Sequence, residues 1–177
     1  WQRPLRDHLV ALLDEHAGRT VVVLASGDPL VSGVGSILVE RLGPERVRIV
    51  PAISSVALAR ARMGWPAETV EVVTLVGRDE HAVLRALAPE HRLLVLCSDG
   101  STTERIGALL TEHGFGASRL TALGDLGTAR ESRLTARADA VSATTPALPV
   151  LAIECAGVWW CRPPGLPHPA SGHGGPL

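Results

Sequence analysis

Residues 24–35 read LASGDPLVSGVG. A run of β-formers that begins with TVVV at 20–23 breaks at Ser26, Gly27, Asp28 and Pro29, and a helical pattern follows. A strand feeding a glycine-bearing loop and then a helix brings backbone N–H groups to a ligand. Glycine permits close approach, and helix N-termini attract polar or anionic groups. The same unit recurs downstream, which is the alternation expected of an α/β chain.

Upstream of this loop, Leu5, Leu9, Leu12 and Leu13 share one helical face, and Gly18 is placed to stop that helix before a strand over 20–25. Downstream, the pattern predicts a helix over 33–42 stopped by Gly43-Pro44, a buried strand over 47–51, and a helix over 54–63 with Ser54 as N-cap. Gly64-Trp65-Pro66 interrupts the pattern and sets a domain boundary near 65–69. Beyond it come a strand over 70–76, a helix over 80–87, a strand over 92–97 and a helix over 102–113. Strand candidates at 119–123, 133–138 and 150–154 then indicate a mixed sheet. The Pro- and Gly-rich residues 157–177 read as an irregular tail or linker.

At 177 residues the chain can bury a proper core. A net charge of −1 and 3% aromatic residues, with no Tyr and one Phe, leave neither a basic surface nor stacking platforms, so nucleic acid is not expected as a partner. Cys97, Cys155 and Cys161 are odd in number and too far apart for a C-x-x-C motif, which favours a reducing compartment over a disulfide framework. No apolar run reaches the roughly 18 residues of a spanning helix. The expectation is a cytoplasmic protein with no membrane contact.

Several common site chemistries are excluded by spacing. No Lys follows Gly33 or Gly35, so this is not a P-loop, and Leu38 stands where a dinucleotide fingerprint needs glycine. Leu24 occupies the first glycine of a nucleophile elbow around Ser26. The seven histidines, His8, His16, His81, His91, His113, His168 and His173, show no metal-ligand spacing, so no metal is expected. A plain reading of the loop is that Asp28 caps a helical turn with Pro29 at its first position, and Ser54 alone is an ordinary N-cap. Two parallel strands, however, would bring Gly27-Asp28 and Ser54-Ser55 to one carboxyl edge of a sheet, where such sheets bind ligands.

The run from 24 to 79, LASGDPLVSGVGSILVERLGPERVRIVPAISSVALARARMGWPAETVEVVTLVGRD, carries a more specific signal. It joins V-L-A-S-G-D-P, a G-x-G helix, L-G-x-E-R-V, P-x-x-S-S, A-R-x-G-W and a strand ending in G-R, in that order. RLLVLCSDGSTTERIGALLTEHGFGASRLTAL at 92–123 and the strand at 150–154 continue it, and RPPGLPH at 162–168 is similar to an interdomain linker. Over about residues 1–155 the chain resembles the precorrin-6Y C(5,15)-methyltransferase (decarboxylating) branch of the tetrapyrrole methylases of cobalamin biosynthesis, in its C5-type methylase domain.

That resemblance implies a two-lobed α/β fold, with a parallel sheet in an N-terminal lobe (1–66) and a mixed sheet in a C-terminal lobe (67–156), followed by the tail. It implies S-adenosylmethionine in the cleft between the lobes. By position, Ser26, Gly27, Asp28 and Val31 match the family's cofactor loop, Ser54 and Ser55 its second contact, and Leu96-Cys97 the strand end from the second lobe. No catalytic side chain is implied, because an electron-rich ring carbon is the acceptor. The implied partners are a polycarboxylate tetrapyrrole, a second copy in a homodimer, and a separate C15-methylating, decarboxylating domain. Arg60, Arg62 and Arg78 are candidates for substrate carboxylates.

Two departures accompany the likeness. The family has a further strand and a G-x-G-P-type loop before the point matched by residue 1, so the first lobe is expected to be truncated. The family's L-E-x-L-G-G-x-x-E-R stretch stands here as Leu123-Gly124-Asp125-Leu126-Gly127-Thr128-Ala129-Arg130-Glu131-Ser132, with the first acid and the final arginine changed. The alternatives are a catalytically incomplete domain that serves as a folded partner, and a methylase for another tetrapyrrole position.

Overall fold

The computed structural model describes residues 5–142 and 146–157. The expected tail beyond Gly157, with Cys161, His168 and His173, lies outside the described residues. Among the described residues there are nine regular elements: α1 (Leu5–Glu15), α2 (Val34–Leu42), α3 (Ser55–Met63), β1 (Glu71–Thr74), β2 (Arg92–Leu96), α4 (Thr102–Glu112), β3 (Arg119–Gly124), β4 (Ser132–Arg137) and β5 (Val150–Glu154). Short 3-10 turns cover Pro44–Arg46, Ala67–Thr69, Glu80–Ala86 and Ala138–Ala140.

The five strands form one mixed sheet in the order β1-β2-β5-β3-β4. β1 and β2 are parallel, and every other pair is antiparallel. Side chains alternate across this sheet with period two. Leu93 and Val95 of β2, Leu151 and Ile153 of β5, and Leu120 and Ala122 of β3 point to one face, where they meet Ile106, Leu109 and Leu110 of α4 and Val83 of the 3-10 segment. Leu94 and Leu96, Val150 and Ala152, and Leu123 point to the other face, where Val56 and Ala59 of α3 and Trp65 cover them. The Arg92 guanidinium lies over the Trp65 ring at 5.4 Å from its centroid. Thus α3 and Trp65 are docked on the sheet itself.

Local chemistry accounts for the element ends. Ser54 Oγ accepts a hydrogen bond from Ala57 N at 3.1 Å, so the expected N-cap of α3 is made, and Gly64 ends the helix in the left-handed conformation at φ 66°. Gly43 closes α2 at φ 85°. Inside α4, Gly107 is required by contact: a Cβ there would sit 2.3 Å from Val141 Cγ1 and 2.8 Å from the Ala138 carbonyl. Gly107→Ala is therefore expected to destabilise the chain by about 1–3 kcal/mol despite alanine's better helix propensity, as read from a urea midpoint.

Two expected strands are corrected. Residues 20–25 and 47–51 belong to no sheet among the described residues, so the parallel sheet expected for the first lobe is not formed there. The expected helix over 80–87 is a 3-10 segment. A β-rich run becomes a strand only with a ladder partner and a face to cover, and among the described residues these runs have neither: Val22 is 80%, Leu24 83% and Val50 70% exposed. The mixed sheet and its strand positions in the second lobe stand as expected to within three residues.

Candidate functional site

The loop at 26–31 is a tight turn built by Asp28. Asp28 Oδ1 accepts from Leu30 N at 2.9 Å, and the Asp28 carbonyl accepts from Val31 N at 3.1 Å. Asp28 thus caps this turn, while α2 begins only at Val34 behind Gly33. The turn is locked from behind, because Gly35 N donates to the Pro29 carbonyl at 3.0 Å. A Cβ at Gly33 or Gly35 would stand 2.6 or 2.7 Å from that same oxygen, which explains the G-x-G pattern without a phosphate.

Gly27 joins the two loops. It has φ 65°, and a Cβ on it would lie 3.3 Å from the Ile53 carbonyl, 3.6 Å from Ser54 Cα and 3.9 Å from Ser55 N. The SGDP turn and the start of α3 are therefore in backbone apposition, even though no strands deliver them. The α3 N-terminus presents first-turn N–H groups without intrahelical partners, and Ser54 Oγ takes one of them, that of Ala57. Asp28 is half-buried and aims a carboxylate into the same turn.

Val31 packs on the same apolar cluster as Leu96 and Val56, so the turn, α3 and the end of β2 converge. Cys97 divides differently. Its side chain joins the cluster on the opposite face of the sheet, and burial pushes its thiol up to about 12, so only its backbone faces this edge. Burial likewise raises Cys155 to about 11. Neither is a nucleophile.

Beyond β2, Asp99 organises the turn into α4. Its Oδ1 accepts from Ser101 Oγ at 2.7 Å, Thr102 N at 2.9 Å and Thr102 Oγ1 at 3.1 Å, and Arg105 Nη2 approaches at 3.3 Å. The Ser101 hydrogen bond, with those of Thr102 and the charge of Arg105, lowers its carboxyl to about 2. Stability from this cap is complete above the ordinary value of 3.8 and is lost as pH falls toward about 2. Expected is a gap in unfolding midpoint between the wild type and Asp99→Asn that is constant at neutral pH and closes across that window.

The three candidate arginines separate. Arg62 is held by Glu131 through two hydrogen bonds, at 2.5 and 3.0 Å, and is not free for substrate. Arg60 Nε is buried with no hydrogen-bond partner. Arg78 sits in the turn after β1, its N–H on the Leu75 carbonyl. The Arg62–Glu131 pair joins residues 69 apart in the sequence and leaves no local pattern there. A hollow of about 460 Å³ lies where β3 ends and β4 starts, lined by Asp125, Ser132, Arg133, Leu134 and residues 146–148. It is at the same sheet end as Leu96, because Val150 pairs with both Leu96 and Leu123. Among the described residues no cluster of potential metal ligands occurs and no helix is long and apolar enough to cross a membrane.

A glycine turn and a capped helix start meet beside a buried strand end in an α/β chain. The chain belongs to the tetrapyrrole (corrin/porphyrin) methylases, whose family model matches residues 6–142. It is 42% identical over 131 residues to a precorrin-6Y C(5,15)-methyltransferase [decarboxylating] of a Sinorhizobium species, covering 74% of this chain and 32% of that protein. The chain thus spans about a third of the length of that relative. Its fold is similar to a precorrin-6Y methylase from Archaeoglobus fulgidus, with TM-score 0.61 and 25% identity over 89% of this chain and 73% of that one. It is also similar to a uroporphyrin-III C-methyltransferase from Thermus thermophilus complexed with S-adenosyl homocysteine, with TM-score 0.57 and 25% identity, covering 85% and 72%.

Proposed function

We propose that this chain is an S-adenosylmethionine-dependent methyltransferase acting on carbon 5 of a precorrin ring of the precorrin-6Y or precorrin-7 type, in cobalamin biosynthesis. The observation that carries the reading is the apposition of Gly27 with Ile53, Ser54 and Ser55 beside the Leu96 strand end. In this reading residues 1–66 form one lobe, 67–156 the other, and the cofactor lies between them. Ser26, Gly27 and Asp28 face its polar groups, Val31 and Leu96 its apolar side, Ser54 and Ser55 its hydroxyls or carboxylate, and the Cys97 backbone the far edge.

The cofactor, when bound, supplies an electrophilic methyl group. The protein's own contribution is positioning. Gly27 lets the turn approach the ligand, the Asp28 carboxylate accepts from ligand hydroxyls, and the α3 N–H groups bind its negative end. Holding two reactants in near-attack geometry is worth on the order of 7–11 kcal/mol, which removes the need for a nucleophilic side chain. Arg133, at the edge hollow, and Arg60 are the cations this reading assigns to substrate carboxylates.

A second reading is a folded partner domain without catalysis of its own, favoured by the exposed apolar side chains of Val22, Leu24, Val50 and Ile53. The homodimer, the separate C15-methylating and decarboxylating domain, and the cytoplasmic location belong to the proposal. Calorimetric titration with S-adenosylhomocysteine decides between the readings. Binding that is lost in Asp28→Ala supports the methyltransferase, and absence of binding by a folded chain leaves the partner reading. The position of the methyl group in the product then identifies the ring carbon.

A further inference from the structure

α3 carries a different function at each end. Its first residue, Ser55, is at the proposed cofactor site, and Arg62 near its last turn reaches the loop between β3 and β4. Arg62 Nε donates to Glu131 Oε1 at 2.5 Å and Nη2 donates to Oε2 at 3.0 Å, a two-pronged pair whose geometry a lysine could not reproduce. Glu131 is committed to the loop as well, since its Oε2 accepts from Gly127 N at 3.0 Å. The loop is further knitted by Thr128, whose N–H and hydroxyl both donate to the Asp125 carbonyl.

The same loop touches α3 at two more places. Leu126 packs on the cluster that includes Val56 and Ala59, and a Cβ on Gly127 would stand 3.1 Å from Leu58 Cδ1. A rigid loop continuous with the sheet therefore grips the helix along one side and at its far end. The Arg62 and Glu131 side chains are 45% and 25% exposed, and exposed pairs contribute about 0–1 kcal/mol to stability, so holding the chain folded is not what this pair does best. What a two-pronged pair fixes is orientation.

We propose that Arg62 and Glu131 are positioning residues that set the tilt of α3 on the sheet, and through it the separation of Ser54-Ser55 from the Leu96 strand end. The inference rests on the proposed cofactor site for its functional consequence. The helix is a lever about 13 Å long, so a small rotation at Arg62 is a displacement of the order of 1 Å at Ser55. Displacements of that size cost up to about a hundredfold in the rate of a positioned reaction, and a weaker hold on the cofactor is the part of that loss read without turnover.

The test is a charge-swap cycle on the full chain: Arg62→Glu, Glu131→Arg, the double swap, and Arg62→Lys. Each is read by S-adenosylhomocysteine affinity, by thermal melting, and by hydrogen exchange of ligand-free protein in the peptide covering 54–65. Each single swap is expected to weaken binding about tenfold and to speed exchange in α3 while β5 exchange and the melting temperature stay near wild type. The double swap restores part of the affinity, because the hydrogen bond from Gly127 N is lost with Glu131 in either background, and Arg62→Lys falls between wild type and Arg62→Glu. Wild-type exchange in α3 of both single swaps overturns the proposal, as does an affinity loss that follows the melting temperature and is not restored by the double swap. If the wild type binds no S-adenosylhomocysteine while the swaps still loosen α3, the positioning of the helix stands and the cofactor reading falls.

Discussion

Leu151→Ala is expected to lower the free energy of unfolding by about 2–5 kcal/mol, measured from urea midpoints with an unchanged denaturant slope. Leu151 is fully buried in β5, the strand that pairs with β2 on one side and β3 on the other. Its side chain lies among Leu93, Val95, Ile106 and Leu110, so truncation leaves a cavity that strands on both sides prevent from collapsing. The same change at Val72, 45% exposed on edge strand β1, is expected to stay within about 0.5 kcal/mol. Equal effects at the two positions would contradict the assignment of β5 as the centre of the sheet.

The second large effect is at Gly27. Gly27→Val places a β-branched residue at φ 65°, where L side chains are strained, and drives a Cβ toward the Ile53 carbonyl at 3.3 Å. The turn must then open away from α3. S-adenosylhomocysteine affinity is expected to fall about a hundredfold, while the sheet, which Gly27 does not touch, keeps its far-ultraviolet circular dichroism and most of its melting temperature. Gly18→Val, also at positive φ but with nothing within 4 Å, is the control and is expected to leave affinity unchanged.

The second lobe was legible because its sheet is covered on both faces by its own chain. Leu93 to Leu96 and Val150 to Ile153 are continuous apolar runs with turn signals at each end, the pattern that a doubly covered strand must have. The first lobe misled for the complementary reason. Residues 20–25 have as much β-propensity as any strand in the molecule, yet propensity cannot supply a neighbour, and Val22 and Leu24 stand in solvent. The Ser54 cap was readable because capping is local, spanning three residues to Ala57.

The candidate site was partly legible for the same physical reasons. Apposition of Gly27 and Ser54 was expected from two parallel strands, and the structure brings them together through backbone contact between the loops instead. Cys97 was matched by position, but strand alternation sends its side chain to the opposite face from Leu96. Arg62 was expected to meet substrate, whereas Glu131 already occupies both prongs of its guanidinium. Pairings between distant segments follow from tertiary geometry, and no spacing rule in the sequence encodes them.

The most direct measurement is hydrogen exchange of the chain with and without saturating S-adenosylhomocysteine, resolved by peptide. Protection confined to 24–35, 51–59 and 95–99 is the result predicted by a cofactor held between the SGDP turn, the α3 start and the β2 end. Protection restricted to other segments, such as the β3–β4 hollow around Asp125 and Arg133, or none at all in a folded chain, would contradict it.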